Sequence, residues 1–483
     1  MCFLFFIWYL CSLLLNCLGL IVISLSFCWV VYLGAFAQNG FWTDHWTYTL
    51  DLVHNYLAVY PDQEEYLLWD AEPVPFFLSP AYVRPRSERY SLVDNPAHPG
   101  TSTIRVYKPL TVWGDADFDI KLNNELLAIK DDPDYIADTT GAAGNWQRTK
   151  AGKTFKVSPG AKLLMLGILK FSSLDPYGMG VEMEGGKPGW NDAMNGLPGI
   201  LGSGMPETYE MYEIIRFMNA AIKTHQRAIE LPIEFIQFLD ELHKGLNAYS
   251  ETNKTLQDEF QFWNLSNTAR EQYRSGVRVT FNGSIGSVKP EYLNNLLTNM
   301  EMKVQRGIAR ALDTNKGFSP TYFSYECTEY QQIPPAKKTV PPTADQVVAL
   351  AFTQHSLPIF LEGPTRHLKT ISDINARREV YQRTRDSALY DEALQMFTLS
   401  ASLKSIGPDV GRMVAFSAGW LENQSVWLHM SYKLYLELLR GGLYEEFFTE
   451  ISTGLVPFMD SDVYGRSPLE AASFIVSSAF PDN

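Results

Sequence analysis

Beyond Cys28 the chain holds a single cysteine, Cys327, so that long body cannot form an internal disulfide. This favours a reducing compartment for it. The other four, Cys2, Cys11, Cys17 and Cys28, crowd the N-terminus. Four sequons, at Asn253, Asn264, Asn282 and Asn423, point the other way if they are used. Basic residues are scarce as well. The first is Arg84, and Lys plus Arg total 40 against 54 for Asp plus Glu. The resulting charge of −14 lacks the basic face that phosphate-backbone binding needs, so no nucleic-acid partner is expected. It also suits a polyanionic substrate poorly and leaves neutral sugars open. No Cys/His cluster has metal-ligand spacing, and neither a P-loop nor a dinucleotide fingerprint is present. No metal or resident cofactor is expected.

Residues 1–38 carry no charge at all and are almost wholly apolar, longer than the roughly 20 residues a membrane span needs. A signal peptide opens with a basic region, which is missing here, and so is the basic flank of an ordinary anchor. Three readings stand: a membrane span with contact through residues 3–37, an uncleaved signal, or a mis-assigned start. The first places the protein at a membrane; otherwise a cytoplasmic location is expected. From residue 39 the composition is that of a globular chain, 46 % apolar and 13 % aromatic over the whole, in 483 residues with room for one large domain or two to three ordinary ones.

The richest stretch is 178–210, a run of Gly and Pro between two apolar helical segments. Such a loop has little to bury, and loops of this kind persist where they shape a site. At its centre stand Trp190, Asn191 and Asp192. An indole stacks on the C–H face of a sugar, and a nearby carboxyl can protonate a leaving glycosidic oxygen. The alternative is an Asn/Asp turn beside a core tryptophan. The loop leads into a helix, with Ser203 as its expected cap and Pro206 and Glu207 in the first turn. Upstream, Ser158-Pro159 opens a helix through Leu163, Leu164, Leu166 and Leu169, and 103–107 reads as a strand. Downstream, Met211, Ile214, Ile215, Met218 and Ile222 form a helical stripe. Further helices are expected over 230–313, 373–399 and 426–440, the last closed by Gly441-Gly442. A short extended piece is expected over 321–330, and the proline run 333–342 reads as a linker or extended connection.

Three other stretches offer polar groups beside aromatics. The first, 40–48, contains Trp42, Asp44, His45, Trp46 and Tyr48: either a second wall of a sugar site or a helix start capped by Asp44. The second, 419–429, puts Glu422 and Asn423 at the entry of an apolar helix, whose N-terminus attracts anions, with His429 a turn further on. His429 reads as a phosphate ligand or as a core histidine. The third, 464–470, offers Arg466 as an oxyanion clamp and Glu470 as a base, or an ordinary Arg–Glu pair.

Together GFWTDHWTY at 40–48, GKPGWNDAMNGLPG at 186–199, GWLENQSVWLHMSYK at 419–433 and YGRSPLEAASFIVSSAFPD at 464–482 resemble the cellobiose-phosphorylase-like proteins of glycoside hydrolase family 94, in family order. The resemblance spans roughly 40–483, more loosely over 230–345, where it leaves room for an insertion. It implies a mainly α fold, an (α/α)₆ toroid of six helical hairpins with short β segments, preceded here by the apolar segment as a helix. It also implies inverting phosphorolysis of a β-glucoside or β-glucan-type oligosaccharide, with inorganic phosphate as co-substrate and an α-sugar 1-phosphate as product. Asp192 would be the general acid and Trp190 the platform. Asn191, Trp42, Asp44, Trp46, Tyr48, Glu422 and Asn423 would bind substrate, and His429 and Arg466 phosphate. An inverting hydrolase would instead need Glu422 or Glu470 as a base. The family pattern has a β-sandwich before the first motif and a Ser/Gly/Thr-rich phosphate loop after the last. Measured against it, the expectation is an incomplete toroid or an impaired sugar-binding fragment as the alternative to an active enzyme. A homodimer is a further option.

Overall fold

The computed structural model describes residues 44–76, 78, 81–95, 100, 102–107, 109–112, 146–186, 188–333, 345–460, 462 and 474–481. Helices dominate it, joined by shorter strands. Pro159–Phe171 (α2, following α1 at Asp44–Val59) begins where predicted, the Ser158 hydroxyl accepting the Ala161 N–H at 3.2 Å. Every residue of α2 except Lys170 is buried, as befits a helix apolar on all sides. Met205–His225 (α3) packs along it through Ile214 and Ile215 and buries the whole stripe read from the spacing. Ile233–Ser250 (α4) and Leu256–Gly276 (α5) pair next, and Pro290–Thr314 (α6) lies against α3 and α4. Leu50 and Val53 of α1 complete this first core.

A second core joins Glu362–Thr370 (α7), Ile374–Arg385 (α8), Leu428–Arg440 (α9) and Tyr444–Gly454 (α10) through Leu368, Tyr381, Leu434, Leu438 and Ile451. An antiparallel six-stranded sheet also runs through the molecule. Its strands are Tyr90–Asp94 (β1), Ser102–Val106 (β2), Val181–Glu182 (β3), Ser203–Gly204 (β4), Tyr322–Gln332 (β5) and Asp345–Ser356 (β6), in the order β2-β1-β6-β5-β4-β3.

The extended piece expected over 321–330 is β5, and it is one arm of a hairpin: β5 and β6 pair from Phe323↔Ser356 to Gln332↔Val347. The proline run therefore joins the two arms of one hairpin, and residues 334–344 of it lie outside the described residues. The helix expected over 373–399 ends at Arg385, where a short hairpin, Tyr390–Asp391 against Met396–Phe397, takes over. Ser203 does not cap α3. It is spent as a strand residue whose hydroxyl donates to Asp175 at 2.8 Å, and Gly204 occupies the cap position. The helix expected from 426 starts at Leu428, because Val426–Trp427 (β7) pairs with Phe474–Ile475 (β8). No helix among the described residues is long and apolar enough to cross a membrane, and the segment 1–38 lies outside them.

Candidate active site

The glycine-rich loop is held from below by one buried carboxylate. Asp175 accepts the backbone N–H groups of Tyr177, Met179 and Gly180 at 3.0, 2.9 and 2.6 Å and the Ser203 hydroxyl. Glycine is obligatory where α6 crosses the loop: a Cβ on Gly307 would lie 1.9 Å from the Gly178 carbonyl oxygen. Further along, Gly196 donates to the Val410 carbonyl at 3.0 Å and sits so close that a Cβ would meet the Asp409 oxygen at 2.0 Å. The segment 407–416 is thereby fixed against the Asp192 turn.

Trp190 is half-buried, and its indole Nε1 donates to the Glu362 carboxylate. Tyr322 donates its hydroxyl to the same oxygen at 3.3 Å. The His429 ring stands edge-on to Trp190 with centroids 4.9 Å apart, and Trp427 is 5.8 Å beyond His429. His429 is exposed and lies in the first turn of α9.

Asp192 is exposed and pairs with Arg412, Nη2 to Oδ2 at 2.9 Å. Arg412 also donates its backbone N–H to Asn195 Oδ1 at 3.0 Å. The hydrogen bond to Asp192 holds the Arg412 guanidinium above its usual range, and the Glu422 charge adds to it. Burial pushes the Glu422 carboxyl up, with Arg412 pulling it back and the Asp192 charge raising it again. Asp192, Arg412 and Glu422 thus form one electrostatic cluster. Around it lie buried polar atoms with no hydrogen-bond partner among the described residues: both ends of the Asn191 amide, Glu422 Oε2 and Asn423 Oδ1. Asn191 is 1 % exposed, so its amide is shut off from solvent and has no hydrogen-bond partner among the described residues. Buried polar groups are ordinarily paired, and a group left over asks for a ligand or a water.

No protein-family model matches this chain. No curated protein matches it either. Motif stretches far apart in sequence meet around α9. Trp190 touches His429, Tyr48 of α1 has the Lys433 ammonium 5.6 Å from its ring centroid, and Phe474 stacks on Trp427 at 5.6 Å. Tyr48 itself is exposed. Asn423 donates its Nδ2 to the Phe416 carbonyl at 2.7 Å, in a turn ahead of α9. Trp42, Arg466 and Glu470 lie outside the described residues, as do the side chains of Asp44, His45 and Trp46, whose positions along α1 are the first three. Sequence reading missed Glu362 and Arg412. Neither belongs to a recognisable pattern, and they reach the site from 172 and 220 residues away.

Proposed function

We propose that the chain is a carbohydrate-active enzyme that cleaves β-glucosides by inverting phosphorolysis, with Asp192 as the proton donor. The observation that carries this reading is the set of unpartnered buried atoms on Asn191, Glu422 and Asn423, next to an indole and a carboxylate pair. Sugars offer hydroxyls to polar atoms and C–H faces to indoles, which is what such a surface can satisfy. In the reaction Asp192 gives its proton to the glycosidic oxygen while phosphate attacks the anomeric carbon from the opposite face. The C–O bond to the leaving sugar breaks, a C–O bond to phosphate forms, and an α-sugar 1-phosphate departs. Arg412 occupies Asp192 Oδ2 at 2.9 Å, so this pair must open for that oxygen to reach a glycosidic oxygen.

The finer architecture in this reading is the six-hairpin toroid. Consecutive helices that pack as pairs support it: α2 with α3, α4 with α5, α9 with α10. Hydrolysis is the second reading, because Glu422 shares the electrostatic field of Asp192. Burial raises the Glu422 carboxyl, which strengthens it as a base wherever it is ionised, so the dependence on phosphate is what separates the two readings.

The test is incubation with cellobiose, laminaribiose or sophorose, with and without inorganic phosphate. Phosphate-dependent release of α-glucose 1-phosphate is expected, together with a loss of about 10²–10⁴-fold in Asp192→Asn. Asp192 is exposed, so that variant should fold. Glucose release without phosphate would favour hydrolysis, and binding without turnover a sugar-binding protein.

A further inference from the structure

Glu362 belongs to none of the motif stretches, yet its carboxylate is what the Trp190 indole N–H is bonded to. It is the first residue of α7 and 3 % exposed. Its Oε2 accepts from both Trp190 and Tyr322, and its Oε1 lies 3.7 Å from Arg366 Nε. The charges then alternate away from the site. Arg366 pairs with Glu210 at 3.0 Å, Glu210 with Lys369 at 3.0 Å, and Lys369 with Asp51 of α1 at 3.2 Å. Arg440 of α9 lies 3.4 Å from the same Asp51 oxygen. A buried carboxylate is expensive unless paired, and here each charge has an opposite neighbour.

An indole recognises a sugar by its face, so the rotation of the ring decides whether face or edge is presented. A hydrogen bond from Nε1 to an ionised acceptor is directional and stronger than one to a neutral partner. Together with the His429 edge contact it leaves the ring one orientation. We propose that Glu362 is the positioning residue of the sugar platform. It orients Trp190 through its indole N–H and ties that orientation, through Arg366, Glu210 and Lys369, to α1. This rests on the reading of Trp190 as a sugar platform.

Two variants test it. Glu362→Gln keeps an acceptor of the same shape without the charge, and Glu362→Ala removes both. The Trp190 signal is obtained in near-ultraviolet circular dichroism as the difference between each protein and its Trp190→Phe derivative. That difference spectrum should change in Glu362→Ala and change less in Glu362→Gln. The KM for the cleaved disaccharide should rise by about 10- to 100-fold in Glu362→Ala, the loss expected for a hydrogen bond to a charged group, with kcat falling less. A Trp190 spectrum unchanged in both variants overturns the proposal, as does an unchanged KM. Should Glu362→Ala not fold, Glu362→Gln is read alone by the same criteria. If the unmodified protein neither binds nor cleaves any of the three disaccharides, the platform reading fails, whereas the difference spectrum still decides whether Glu362 orients the indole.

Discussion

A histidine sealed in a core titrates far from where it does in water. His367 is 7 % exposed, stacks on Tyr209 with centroids 5.0 Å apart, and shares a 2.7 Å hydrogen bond with Ser319; burial holds it down to about 4. The unfolded chain, titrating near 6.5, takes up a proton that the folded one refuses. The stability contributed is therefore present above pH 6.5 and lost as pH falls towards 4, by about 3 kcal/mol at 1.36 kcal/mol per unit. Glu182, raised to about 6 by burial, acts oppositely: its contribution is present below its unfolded value and fades as pH rises through 6. Urea unfolding of His367→Gln against the unmodified protein separates the two, and equal pH slopes would contradict this account. Legibility at this scale followed locality. Trp190, Asn191 and Asp192 are neighbours in a marked loop and could be read off directly. Glu362 and Arg412 gain their roles only through contacts with residues far away in the chain, and no local pattern encodes those.

For elements, the 3.6-residue period marked where helices run but not always where they stop, as Arg385 and Leu428 show. The stripe of α3 and the cap of α2 are local consequences of side-chain spacing and of one serine hydroxyl. Strand partners are not local. Nothing in the residues of β5 says that β6 will pair with it across a proline run, nor does 426–427 show that pairing with β8 will take those two residues from the expected helix. Close packing is equally hidden, as Gly307 illustrates. Helix propensity alone favours Gly307→Ala by about 1 kcal/mol. The contact with the Gly178 carbonyl, a backbone atom that cannot swing away, reverses the sign. Gly307→Ala should destabilise by about 1–3 kcal/mol in chemical denaturation, and a stabilised variant would refute the steric account.

For the whole molecule, the two helical cores are bridged by a line of charges that is buried at Glu210 and Arg366 and reaches solvent at Arg440. Glu210 of α3, Arg366 and Lys369 of α7, Asp51 of α1 and Arg440 of α9 make each helix's place depend on the others. Ion pairs give direction where apolar packing does not. These residues are separately unremarkable in the sequence, since single charges in amphipathic helices usually face water. Their alignment is a property of the assembled fold, as is the meeting of the motif stretches around α9.

The unpartnered amide of Asn191 also has a thermodynamic side. A protein that leaves buried dipoles unanswered is less stable than its own backbone permits, and whatever answers them returns that deficit as heat resistance. A saturating sugar should raise the midpoint of thermal unfolding, with about 2.7 kcal/mol of added stability at a hundredfold excess over Kd. Melting the protein against a library of neutral oligosaccharides would then rank substrates before any turnover is assayed. A flat profile across the library would count against carbohydrate binding altogether.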